Sequence, residues 1–156
     1  MQFADFDSGH CSVARSVEVL GDRWTVLVLR DVFNGIRRFD DLQEHLGIAR
    51  DVLAKRLAAL VDEGVLAKVP YREPGTRTRF EYRLTQAGWD LRPVLIALIG
   101  WGDRYRADPE GPPIVVAHEA CGSPVHVTIE CAEGHRIEPN TRLRIQPGPG
   151  ARARTA

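Results

Sequence analysis

Two apolar stripes at helical spacing stand back to back with about two residues and one glycine between them, and that leaves the chain little choice of fold. Phe39, Leu42 and Leu46 mark the first stripe, which Gly47 stops. Leu53, Leu57, Leu60 and Val61 mark the second, from about Arg50 to Glu63, and Gly64 ends it. Two helices joined by so short a turn form the helix-turn-helix layout. Directly after come two runs with strand alternation, Val65 to Val69 and Phe80 to Leu84. They flank a Pro- and Gly-bearing linker, Arg72-Glu73-Pro74-Gly75-Thr76-Arg77, so a hairpin with a long basic tip is expected.

The rest of the chain is read around this centre. Ser12 is expected to cap a first helix bearing Val13, Val17 and Leu20, with Gly21 as its stop. Asp22 is expected to cap a second, Arg23 to Phe33, so apolar that it should be buried on most sides. Beyond the hairpin, Thr85 is expected to cap one long helix, Gln86 to about Arg106, in which Pro93 makes a kink or a break. Its apolar face exceeds what a small domain covers alone, so a second subunit is its natural cover. Gly111-Pro112-Pro113 marks a boundary. The fold class is therefore α+β, mostly α: a winged helix-turn-helix with a C-terminal dimerisation helix over residues 1–110, a small β-rich appendage over 111–146, and a disordered basic tail over 147–156.

The chain has 156 residues, 44% of them hydrophobic and 27% charged, which excludes a disordered polymer and fits one compact domain with an appendage. No apolar run approaches the ~18 residues of a membrane span. The start MQFADFDSGH lacks the order of a secretory signal, so a cytoplasmic location is expected, with no membrane partner. The 21 basic and 21 acidic side chains cancel in sum but not in place. Residues 49–83 carry 8 basic and 5 acidic side chains and residues 136–156 carry 5 and 1, while the remainder is acidic. A local DNA-binding surface produces that asymmetry.

In such a fold the second helix of the pair enters the major groove and the hairpin reaches neighbouring phosphates or the minor groove. With Leu53, Leu57 and Leu60 inward, the outward positions include Asp51, Ala54, Lys55, Ala58 and Asp62, with Arg56 on the flank and Arg50 at the exposed start. The small alanines let the backbone approach base edges, leaving Lys55, Arg50 and Arg56 to reach bases or phosphates. Asp51 suits a cytosine amino group. The plainer alternative is a solvated helix face, with Asp51 favourable at the helix N-terminus. The basic tip, Arg72, Arg77 and Arg79, favours the nucleic-acid reading.

The residues CSVARSVEVLGDRWTVLVLRDVFNGIRRFDDLQEHLGIARDVLAKRLAALVDEGVL, followed by FEYRLTQAG, resemble the HxlR family of bacterial transcriptional regulators, relatives of the MarR group. The likeness spans about residues 11 to 106. Its marks are a Cys before the first helix, GDRWT, RFDDL, LxxRLxxLVDEG and YxLTxxG. It implies a homodimer, joined through its terminal helices, on a palindromic operator of double-stranded DNA with half-sites about 34 Å apart. It places Arg50, Asp51, Lys55 and Arg56 on the recognition surface and Arg72, Arg77 and Arg79 on the wing. Ala49 and Asp51 depart from the family's frequent Ser and Asn, so the operator sequence does not transfer. The resemblance also implies a repressor released by an oxidant, an electrophile or a small aromatic compound. Cys11 matches the cysteine some members use for sensing, beside His10 and a turn from Arg15; the plainer reading is a small residue packed at the dimer helix.

Two further patterns stand in the sequence. His118-x2-Cys121-x9-Cys131-x3-His135 holds two Cys and two His for a tetrahedral zinc site, and Gly122 and Gly134 suit tight knuckles. Against it, no CxxC pair occurs, so the expectation is no metal and no cofactor, with zinc on these four residues as the alternative. Enzyme chemistry is not expected: there is no nucleophile elbow, phosphate loop or metal pair. Trp24 and Trp101 are read as core rather than as a ligand cage. The competing class is a protein-interaction module that docks through the same fold, which would tolerate salt where a DNA binder would not.

Overall fold

The computed structural model describes residues 5, 7–72, 75 and 77–153. Part of the expected hairpin tip, Glu73, Pro74 and Thr76, lies outside the described residues, as do the last three positions of the expected tail. The chain divides into two units, Met1–Trp89 with Arg144–Ala156, and Asp90–Leu143.

The first unit holds a short 3-10 turn at Ser8–His10, then α1 Ser12–Leu20, α2 Arg23–Phe33, α3 Phe39–Leu46, α4 Arg50–Asp62, β1 Leu66–Tyr71, β2 Arg79–Leu84 and α5 Gln86–Trp89. Cys11, not Ser12, is the N-cap of α1: its backbone is extended and its carbonyl accepts the first helical bond, from Arg15 N–H at 3.1 Å. Asp22 caps α2 as expected, one carboxylate oxygen accepting from Trp24 N–H at 2.9 Å and Thr25 N–H at 3.4 Å. Val28, Leu29 and Val32 of α2 meet Leu42 of α3 and Leu53, Leu57 and Leu60 of α4 in a core closed by Val65, Leu66 and Tyr82. Truncating one of these leucines to alanine costs about 2–5 kcal/mol.

Gly47 ends α3 with φ 60°, a left-handed turn that lets Ile48 drop into the core and α4 start with only three residues between it and Leu46. The buried Asp31 is held from both sides, by Arg30 at 2.7 Å and by His45 Nδ1 at 2.6 Å, which ties α2 to α3. β1 and β2 pair antiparallel from Leu66 opposite Leu84 to Tyr71 opposite Arg79. The chain before α3 lies along β2: Tyr82 N–H donates to Arg37 C=O at 2.8 Å, and Arg38 bridges Glu81. At the exit, Thr85 Oγ1 donates to Gly64 C=O at 2.6 Å and accepts from Gly88 N–H at 3.2 Å. A Cβ at Gly88 would lie 2.4 Å from Val65 O, so only glycine fits this junction.

Of the kink or break expected at Pro93 in the long helix from Gln86 to Arg106, the structure has the break, which makes it two helices. α5 stops at Trp89, and α6, Arg92–Tyr105, begins afresh with Leu91 as N-cap and Pro93 in its first turn. Proline lacks the N–H that a continuous helix would need there, whereas a first turn does not miss it. The β character expected of residues 111–146 reduces to isolated bridges, Ala117 to Pro124 and Glu130 to Arg136, with no strand among the described residues. None of residues 111–143 is buried. Within the tail, Arg152 C=O accepts from Asp7 N–H at 2.9 Å and its guanidinium reaches His10 Nε2 at 2.7 Å. Among the described residues no helix is long and apolar enough to cross a membrane.

Candidate nucleic-acid interface

The wet side of α4 is built by its dry one. With Leu53, Leu57 and Leu60 fully buried, the helix turns Arg50, Asp51, Ala54, Lys55, Ala58 and Ala59 to solvent. Ala49 at the N-cap offers no side-chain hydrogen bond, so the first N–H groups of α4 stay free of a side-chain cap, and Asp51 supplies the acidic group of the first turn. Arg50 is not loose: its guanidinium lies 4.7 Å over the Phe39 ring and 3.4 Å from Asp40 and Gln43 of α3. An exposed pair of this length stabilises little, and its effect is to aim the arginine.

Arg50 and the wing share one groove of about 440 Å³. Arg38, Lys68 and Arg79 line it with Arg50, against the two carboxylates of Asp40 and Asp41. Besides Arg50 over Phe39, aromatic rings hold two more of these cations, Arg38 over Tyr71 at 4.6 Å and Lys68 over Phe80 at 4.4 Å. A cationic groove with its charges set at fixed points by rings is suited to phosphate oxygens along a strand. Arg72 and Arg77 are exposed farther out on the hairpin.

A second cluster surrounds the start of α1. Asp7 accepts from Gly9 N–H at 2.9 Å and from His10 Nδ1 at 2.7 Å, and these bonds hold its carboxyl below the usual range. His10 Nε2 then accepts from Arg152, and Arg15 donates to the His10 carbonyl at 2.9 Å. The Cys11 thiol is half-buried beside them, with its pKa lowered by the backbone N–H groups of Ala14 and Val13 and by the Arg15 charge. Thiolate is the nucleophilic form, so this setting raises reactivity at neutral pH.

Residues 19–110 match the HxlR-like helix-turn-helix family. The chain belongs to that family. An HTH-type transcriptional regulator of Mycobacterium tuberculosis, Rv3095, is 42% identical over 145 residues, which is 93% of this chain and 90% of that protein. The crystal structure of the transcription factor PA1607 superposes with a TM-score of 0.78 at 35% identity, covering 89% of this chain and 97% of the other. The reduced form of the transcriptional regulator YodB from B. subtilis superposes with a TM-score of 0.53 at 27% identity, over 63% of this chain and 97% of its own. YodB is matched over the shorter share, while Rv3095 and PA1607 are matched over a longer share of this chain. This HxlR-family protein is a helix-turn-helix transcriptional regulator with a DNA-binding fold.

Within that family frame the predicted side chains sort into three groups. Arg50 and Arg79 meet at one groove; Asp51, Ala54 and Lys55 stand exposed along α4; Arg72 and Arg77 lie at the hairpin tip. Arg56 belongs elsewhere. It turns back to Asp22 at 2.9 Å, with its Nε buried and without a hydrogen-bond partner among the described residues, so it is a strut between α4 and the cap of α2 rather than a free flank cation. Sequence reasoning missed Arg38, Lys68 and Tyr71. The Arg37-Arg38 pair just before α3 was a visible signal for the first, and Lys68 on an alternating strand for the second. Trp24 is half-buried with Arg23 4.2 Å over its ring, whereas Trp101 is exposed and tilts on Tyr105 at 5.6 Å.

His118 and Cys121 lie 3.3 Å apart, Nδ1 to Sγ, and Cys131 and His135 lie 3.5 Å apart. The N–H and hydroxyl of Ser123 hydrogen-bond the Cys121 sulfur and lower its pKa. Among the described residues no group of three or more metal-capable side chains is gathered.

Proposed function

We propose that this protein is a homodimeric, sequence-specific repressor, acting in the cytoplasm on a palindromic operator and released when an oxidant or electrophile reaches Cys11. The observation that carries the DNA reading is the groove in which Arg50 of the recognition helix and Arg79 of the wing meet Arg38 and Lys68. A docking module needs no such ring-braced row of cations, and a phosphate backbone does. Supporting the dimer, α6 has no buried residue and carries Val94, Leu98, Trp101 and Tyr105 exposed at heptad-like spacing. Supporting the sensor, Cys11 is held towards thiolate by a helix N-terminus and Arg15, and YodB, similar to this chain, has been solved in reduced and in diamide-treated forms.

Release requires that the modified dimer bind the operator more weakly, a differential affinity of about 1–3 kcal/mol. Footprinting on the DNA upstream of its own coding sequence, with and without diamide, tests the whole reading. The wild type should protect two half-sites and lose them with diamide, Cys11→Ser should keep them, and Arg77→Glu with Arg79→Glu should give no footprint. Equal diamide release from Cys11→Ser removes the sensor, and a footprint that survives the charge reversals removes the wing.

A further inference from the structure

The segment after α6 has a problem of stability that its own side chains do not solve. Residues 111–143 contain no buried residue and no strand, and leave Val115, Ile129 and Leu143 more than 60% exposed. Chains of fewer than ~40 residues that lack a core rely on a disulfide, a metal or a partner. A disulfide would join Cys121 and Cys131, but each sulfur already faces a histidine of its own turn.

The two turns are built alike. In the first, Gly122 with φ +69° donates its N–H to His118 C=O at 2.7 Å, and Ala117 bridges Pro124. In the second, Gly134 with φ +78° donates to Cys131 C=O at 2.9 Å, and Glu130 bridges Arg136. Each turn presents one imidazole nitrogen and one sulfur, 3.3 Å apart in one and 3.5 Å in the other. Bonds of about 2.3 Å to sulfur and 2.0–2.1 Å to nitrogen at a tetrahedral angle require an S to N edge of about 3.5 Å. Both pairs therefore already have the bite of a bidentate claw. Two hydrogen-bonded pairs of the same bite, on two glycine-closed turns of one coreless segment, are more than spacing in the sequence.

We propose that His118, Cys121, Cys131 and His135 together bind one zinc-class ion, which draws the two turns onto a single tetrahedral centre and gives this segment the fixed point its apolar residues fail to supply. No sheet and no buried side chain within the segment holds the two claws apart, so the closure works against little structure. Each thiol still protonated gives its proton to solvent as the metal–sulfur bond forms, and both imidazoles bind as neutral bases. All four protein ligands are used, which makes the site structural rather than catalytic.

The full chain, reduced and stripped of metal with a chelator, is titrated with Co²⁺. The expected result is one ion per chain, with intense tetrahedral visible bands and a sulfur-to-cobalt charge-transfer band, both displaced by Zn²⁺. Cys121→Ser and Cys131→Ser should each weaken the charge-transfer band and the double variant should abolish it, while Cys11→Ser keeps it. A measurement on the wild type guards against misfolded variants: Zn²⁺ should protect Cys121 and Cys131 together from iodoacetamide, leave Cys11 open to it, and cease to protect when EDTA is added. No binding, a weak octahedral cobalt spectrum, protection of one of the two cysteines alone, or one ion per two chains each overturns the proposal.

Discussion

A thiol at the cap of a helix faces N–H groups that have no other partner, and for Cys11 those of Val13 and Ala14 do most of the work, with Arg15 adding charge. Its pKa is lowered, so the reactive thiolate is present above that lowered value and lost as the pH falls through it. Labelling by a bimane reagent should therefore reach half its plateau rate below the ~8.5 of a free cysteine, and Arg15→Glu should move that midpoint upward. Asp22 is a second residue with two duties, one oxygen on the N–H groups of α2 and the other on Arg56. Asparagine caps as well as aspartate, so Asp22→Ala should lower stability by about 1 kcal/mol more than Asp22→Asn in urea unfolding. Equal losses would place the effect in the ion pair. The cap of α2 was legible in the sequence because a carboxylate two and three residues ahead of free N–H groups is a local pattern. The engagement of Arg56 was not, since its partner lies 34 positions away and is brought close only by the packing of α4 on α2.

At the scale of elements, the recognition helix gains its role from what it lacks. Ala54 is exposed and small between Asp51 and Lys55, so Ala54→Tyr should leave the urea midpoint nearly unchanged, within about 0.5 kcal/mol. The same change should lower operator affinity at least tenfold in a gel-shift titration, because the ring holds the helix away from base edges. A loss of stability instead would mean that this face is packed. The helices α2 to α4 and the hairpin were readable because apolar spacing, glycine stops and strand alternation agreed over residues 22–84. The pattern failed where apolar content continued through a change of backbone direction. Periodicity alone ran one helix from Gln86 onward and only Pro93 signalled a kink or a break, while the helix stops at Trp89 and restarts at Arg92. The valines and isoleucines after residue 114 likewise suggested strands, but strand formation needs a partner edge, and the sequence could not show that none but single bridges would form.

For the whole molecule, the proposed dimer would present two readers to one duplex. Val94, Leu98, Trp101 and Tyr105 leave α6 with an apolar stripe that a second subunit is proposed to cover. Leu98→Glu should therefore shift the mass in analytical ultracentrifugation from dimer to monomer and weaken operator binding, with the far-ultraviolet spectrum retained. A dimer that survives this change would place the interface elsewhere. The bond from Tyr82 N–H to Arg37 C=O, with Arg38 beside Glu81, has a consequence for how such a pair is switched. It rivets the hairpin to the chain that leads into α3, so in the proposed dimer each reader should behave as a single stiff casting. An inducing signal gains little by bending it. Under the proposed function the adjustable quantity is the separation of two castings, and the Tyr82 amide should then exchange with heavy water as slowly in the diamide-treated protein as in the reduced one.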